Sequence, residues 1–210
     1  MVGNVPNYVP LDVVRCFIRL ENSKSRKNLS EDLGLGEGTV KALLNILKEQ
    51  GVTLSTKEGH VLNEKGEKLL SELKGLVTPP MQVAYTDFYS ELYNSAMQLK
   101  RGFHLRERTK ERIDTVNIRD IAVRNGADAA FIIFYKNGKL KMSENDTYTF
   151  SQLQKQFKLK EGDVVVISFA KTKRLAELGV LAQATLANPA FVSLINKKMG
   201  IKLDYKWYYK

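Results

Sequence analysis

The stretch GLGEGTVKALLNILKEQG, residues 34–51, decides how this chain is read. Gly34, Gly36 and Gly38 alternate with Leu35 and Glu37, and a helical pattern follows. Glycines so placed form either a phosphate cradle or the tight turn between two helices. A P-loop sets Lys and then Ser or Thr directly after its last glycine, so that the lysine reaches the terminal phosphates and the hydroxyl holds magnesium. Here Gly38 is followed by Thr39 and Val40, and Lys41 is displaced from that role. A dinucleotide loop reads G-x-G-x-x-G behind a buried strand. This one reads G-x-G-x-G behind a polar, helix-like segment. Both phosphate readings fail on context.

The turn reading fits its surroundings. Val40, Leu43, Leu44 and Leu47 recur at helical spacing as one apolar stripe, and Gly51 stops the helix. Upstream, SKSRKNLSEDLG carries Leu29 and Leu33 four apart, and Gly34 suits the left-handed residue that closes a short helix. VPLDVVRCFIRLEN predicts a helix before that, with Val13, Val14, Phe17, Ile18 and Leu20 inward and Arg15 and Arg19 together on another face. Downstream, Val52 to Thr56 pairs with His60 to Leu62 across a turn at Lys57, Glu58 and Gly59. A further helix runs through Leu69, Leu70 and Leu73, and VTPP at 77–80 breaks the pattern. The expected domains are residues 1–78 and 79–210.

In a helix-turn-helix the second helix lies in the major groove of double-stranded DNA, its N-terminal residues nearest the base edges. With the apolar stripe turned inward, Gly38, Thr39, Lys41, Ala42 and Asn45 fall on or near the outward face. The Thr39 hydroxyl and Gly38 N–H suit phosphate. Asn45 suits adenine, Lys41 guanine or phosphate, and Ala42 a thymine methyl.

SRKNLSEDLGLGEGTVKALLNILKEQGV, followed by STKEGHVLNEKGEKLL, resembles the winged helix of archaeal and bacterial transcription regulators over about residues 10–76. The LGLGEGTV turn, the LKEQG helix end and the LNEKG helix start carry the likeness. The resemblance implies that the hairpin is a wing, with Lys57, Glu58, Gly59 and His60 beside the DNA backbone or minor groove. Glu58 departs from that pattern, because an acid near phosphate is unfavourable. IRDIAVRNGADAAFIIFYKNGKLKM and GDVVVISFA are similar to a domain of unknown function attached to archaeal winged helices, which implies a two-domain protein.

The second half reads as an α+β or α/β domain with roughly four to five strands in a mixed or antiparallel sheet. AAFIIFYKNGKLKM is a strand, an Asn137-Gly138 turn and a return strand. GDVVVISFA lacks alternation, which suits a strand covered on both faces. YTFSQLQKQF is a short helix, and KTKRLAELGVLAQATLAN an amphipathic one. LYNSAMQLK fits strand and helix equally.

Charge and composition bound the function. The chain has 210 residues and a net charge of +10, of which residues 1–80 contribute +1 and residues 81–210 contribute +9. Recognition by the first half must therefore come from pattern rather than bulk charge. No apolar run is long enough to cross a bilayer, so no membrane role is expected. The single cysteine, Cys16, excludes an intramolecular disulfide and fits a reducing cytoplasm. Beside Phe17 it reads as a small buried hydrophobe.

His60 and His104 are the only histidines and supply neither metal-ligand spacing nor a catalytic triad, so no cofactor and no enzyme activity are expected. Arg101, Arg119, Asp120 and Arg124 are candidates for an anionic effector, within a segment 100–124 of eight Lys+Arg and four Asp+Glu that reads equally as a solvated face. Arg106, Arg108 and Arg112 belong to the same segment. The DYKWYYK terminus mixes rings and cations, as a docked edge strand or a base-stacking surface. The expected protein is a DNA-binding regulator whose second domain dimerises it, senses a small molecule, or both. The alternative is a winged helix for RNA or protein contact, with the basic second domain as the main anionic-ligand surface.

Overall fold

The computed structural model describes residues 7–22, 24–84, 91–100, 115–142 and 149–203. In chain order the elements are α1 (Pro10–Arg19), α2 (Arg26–Leu33), α3 (Glu37–Glu49), β1 (Thr53–Thr56), β2 (Gly59–Leu62), α4 (Glu64–Leu76), β3 (Tyr93–Leu99), α5 (Thr115–Arg124), β4 (Ala129–Lys136), β5 (Lys139–Lys141), α6 (Ser151–Gln154), β6 (Val164–Ala170), α7 (Lys173–Ala187) and α8 (Pro189–Lys198). The fold is α+β. Among the described residues no single helix is long and apolar enough to cross a membrane.

Two compact units result. One holds the described residues up to Glu72 together with residues 193–203; the other runs from Leu73 to Val192. In the first unit, α1 to α3 bury Phe17, Leu29, Leu33, Val40, Leu43 and Leu47 completely. Residues 193–203 join that unit through buried Ile195, Met199, Ile201 and Leu203. Lys198 pairs there with Glu72, and the Gly200 backbone lies so close to Gln50 that a Cβ would fall 2.4 Å from its Oε1.

Helix α1 differs from its amphipathic expectation. Every residue from Leu11 to Ile18 is buried, Arg15 included. Arg15 and Arg19, four residues apart, do lie on one side of α1, but Arg15 is buried and Arg19 only half-buried. The Arg15 guanidinium Nη1 donates to Asp12 Oδ1 at 2.9 Å and to the Leu33 carbonyl at 3.1 Å. Asp12 in turn accepts from the Val9 N–H at 3.0 Å. A buried cation is tolerable only when paired and hydrogen-bonded, and the last carbonyl-bearing turn of α2 supplies the second acceptor. Cys16, one residue on, is also buried, and loss of hydration pushes its thiol up to about 12.

The second unit is built on a four-stranded sheet, ordered β3-β6-β4-β5 with every pairing antiparallel. The ambiguous LYNSAMQLK segment contains strand β3. Central β6 is buried at all seven positions, as its missing alternation predicts. Val165, Ile167 and Phe169 face a core completed by Ala96, Ile133, Phe150, Leu153 and Phe157. The opposite face receives α7 and α5. Ser168 donates to the Ala176 carbonyl, Gln183 donates to the Phe131 carbonyl at 3.1 Å, and Ala122 of α5 packs with Ala130 of β4. The Asn137-Gly138 turn has positive φ at both residues, 51° and 74°, as a two-residue hairpin requires. The outer strand β5 is three residues long and carries two lysines, which blunts that sheet edge.

Candidate nucleic-acid interface

The site is built from α2, the turn, α3 and the hairpin. Ser25 caps α2 by accepting from the Asn28 N–H at 3.1 Å. Gly34 ends it in the left-handed region at φ 64°, ψ 39°, where a side chain would be strained. Leu35 then drops into the core, and its carbonyl accepts from the Ser30 hydroxyl. Arg15 holds the Leu33 carbonyl from beneath. The glycine-rich turn is therefore fixed from both sides before α3 begins.

Helix α3 presents two opposite surfaces. Val40, Leu43, Leu44 and Leu47 are buried, as their spacing predicts. Gly38, Lys41, Asn45 and Lys48 are exposed, while Thr39 and Ala42 are half-buried at the edge of that outer stripe. Gly38 is the informative residue. Its φ is not positive, and a Cβ built there meets nothing within 4 Å. Inside a helix, glycine costs about 1 kcal/mol relative to alanine, so neither conformation nor internal packing accounts for it. Lys48 was not among the residues singled out by sequence, although it extends the Lys41 and Asn45 row by one turn.

The hairpin has a two-residue turn at Lys57 and Glu58, both exposed, and pairs Thr53 with Leu62 through Thr56 with Gly59. It is held on its other side too. The Lys24 N–H donates to the His60 carbonyl at 3.1 Å and the His60 N–H to the Lys24 carbonyl at 2.9 Å. The segment before α2 thus adds a bridge to the sheet that its sequence did not announce. Gly59 makes this approach feasible: at φ 136°, a Cβ would lie 2.6 Å from the Lys24 carbonyl oxygen. His60 lies on the return strand β2, as expected, and is half-buried there, with Nδ1 3.2 Å from the Ser55 hydroxyl. Its pKa is lowered from 6.5, first by loss of hydration and then by the charges of Arg26 and Lys48. Those two cations come from α2 and α3, so the three elements converge near the imidazole.

Charge on this face is mixed. Arg26 Nε lies 3.2 Å from Glu37 Oε2 across the turn, with both side chains about half exposed, so the pair adds little stability. Lys24 pairs with Asp32. Exposed Lys27, Lys41, Lys48 and Lys57 add to the cationic set, against Glu49 and Glu58.

Of the second set of candidate residues, the structure describes only those on α5. Arg119, Asp120 and Arg124 are all exposed along α5. Arg101, Arg106, Arg108, Arg112, His104 and residues 204–210 lie outside the described residues. Among the described residues, no group of three or more His, Cys, Asp or Glu side chains is placed to hold a metal ion.

Three helices, a hairpin and a following helix define a winged-helix-like head, joined to a helix-covered antiparallel sheet. Comparison with known proteins agrees in both parts. Residues 11–68 match the family model described as PH0730-like, N-terminal domain. Residues 93–187 match the domain of unknown function DUF4443. Among solved structures, the chain is similar to hypothetical protein PH0730 from the archaeon Pyrococcus horikoshii OT3, with a TM-score of 0.69 and 23% identity over 90% of this chain and 100% of that one. That is a likeness of fold. No curated protein matches.

Proposed function

We propose that the chain is a sequence-specific regulator that binds double-stranded DNA through the outer face of α3, and that its second unit makes it a homodimer. The role is binding, with no catalytic step. The observation that carries the reading is the bare, exposed row of Gly38, Lys41, Asn45 and Lys48, backed by a fully buried stripe. A helix so anchored can enter a major groove as a rigid body. Gly38 lets the helix N-terminus come close to phosphate, and Lys41 and Asn45 offer hydrogen bonds to base edges. Dimerisation is inferred from that mechanism, because a single small module gives limited specificity and two half-sites multiply it.

The test is selection of bound sequences from a random duplex pool, followed by salt-titrated binding to the selected site and to structured RNA. The expected result is a defined DNA site whose preference at one base pair relaxes in Asn45→Ala, at a cost of roughly 1–3 kcal/mol. Failure to enrich any sequence, or tighter RNA binding that survives Asn45→Ala and Lys41→Ala, rejects the proposal in favour of an RNA surface on the basic second half.

A further inference from the structure

Helix α5 carries an exposed surface that its own unit does not use. Ile118, Ile121 and Ala122 are buried against the domain. The opposite side holds Val116 at 56% and Val123 at 51% exposure, two of the most exposed large hydrophobics among the described residues. Arg119 and Asp120, both exposed, lie between them. At about 100° per residue, these four side chains fall in one sector of the helix roughly 100° wide. A sector of that width suits a helix partner.

The order of residues along the sector has a two-fold character. Counted outward from the midpoint of Arg119 and Asp120, valine meets valine at 116 and 123, and arginine meets aspartate at the centre. The buried positions obey the same symmetry, with Ile118 mirrored by Ile121. A surface that is complementary to its own reverse is what an isologous contact requires.

We propose that α5 pairs antiparallel with α5 of a second copy, across a two-fold axis through the midpoint of Arg119 and Asp120. Val116 then packs on the partner's Val123, and Arg119 faces the partner's Asp120, each contact occurring twice. The ion pairs select the antiparallel register, because a parallel pairing sets like charges together. A ten-residue helix is only about 15 Å long. One such seam is smaller than the roughly 1,200 Å² of a typical stable complex, so this association is reversible and concentration-dependent. The proposal deepens the homodimer part of the functional reading and does not depend on the surface of α3.

The test is sedimentation equilibrium of the full chain without DNA, over a range of micromolar concentrations. The wild type is expected to self-associate, and Val116→Asp to remain monomeric with unchanged far-ultraviolet circular dichroism. Should that variant fail to fold, Val123→Lys replaces it. Arg119→Glu should raise the dimer Kd by about tenfold. Combining Arg119→Glu with Asp120→Arg exchanges the charges and should restore dimerisation. A wild type that stays monomeric throughout overturns the proposal. So does a dimer indifferent to these substitutions, or a double variant no better than the single one. None of these outcomes bears on Asn45 or Lys41, so a failed dimer test leaves the DNA reading to its own experiment.

Discussion

The Arg15 guanidinium donates to the Leu33 carbonyl at 3.1 Å, linking α1 to the end of α2 one residue before the turn glycine. Both Arg15 and its acid partner Asp12 are fully buried. Removing one charge of such a pair leaves the other unpaired inside the protein. Arg15→Met is therefore expected to lower unfolding free energy by about 3–5 kcal/mol. Asp12→Leu combined with Arg15→Met should cost distinctly less, since neither charge is then buried without the other. Urea unfolding of the two variants checks this; equal losses would remove the ion pair from the account.

Gly38 separates stability from recognition. Gly38→Ala places a methyl in open space and should stabilise the fold by about 0.5–1 kcal/mol. If DNA approaches the start of α3 closely, the same methyl should weaken binding to the selected site. A thermal melt and a binding isotherm on one preparation give both signs. Raised stability with unchanged affinity would place the DNA elsewhere.

Lys48 and Glu37 test the charge on the face. Lys48→Ala should reduce the slope of log affinity against log salt by about 0.9 if the ammonium meets one phosphate. Glu37→Gln should tighten binding at low salt, because it removes an acid beside the helix N-terminus and releases Arg26. Salt titrations by fluorescence anisotropy measure both. A wild-type slope in both variants would contradict the proposed docking.

His60 makes a pH-dependent contribution. Its folded pKa is depressed, so the unfolded chain takes up a proton at higher pH than the folded one. Stability from this group is complete above about 6.5, falls as the pH drops below that value, and levels off below the folded pKa. The His60 ring resonances in nuclear magnetic resonance should titrate below 6.5 in the free protein. They should move upward in a DNA complex, where phosphate favours the imidazolium. An unchanged midpoint on binding would place the imidazole away from the DNA backbone.

Cys16 should resist thiol reagents in the native state. Its burial and raised pKa leave almost no thiolate at neutral pH. Labelling should therefore follow the rate of opening, and urea should accelerate it. Rapid native labelling would show that the core around α1 opens locally.

Elements with one dominant period were legible before any coordinates. The stripe from Val40 to Leu47, the turn at Asn137 and Gly138, and the unalternating run from Val164 to Ala170 each carry a local signal that tertiary context reinforces. The burial of Arg15 is not legible from periodicity, which assumes that a cation faces water. That burial depends on the Leu33 carbonyl, which lies 18 residues away and carries no side-chain signature. The Lys24 bridge to His60 is likewise a backbone event. Strand β3 is ambiguous in sequence because LYNSAMQLK fits the strand and helix periods equally; burial of Ser95 to Leu99 in the sheet decides it. The nearness of Arg26 and Lys48 to His60 has no local signature, since only the folded hairpin brings the three together.

Residues 193–203 complete the first unit although the whole of the second lies between them and Glu72. During synthesis, these residues can dock on the first unit only after the whole second unit has been made. A chain truncated before position 193 would leave open to water the apolar surface that Ile195, Met199, Ile201 and Leu203 otherwise cover.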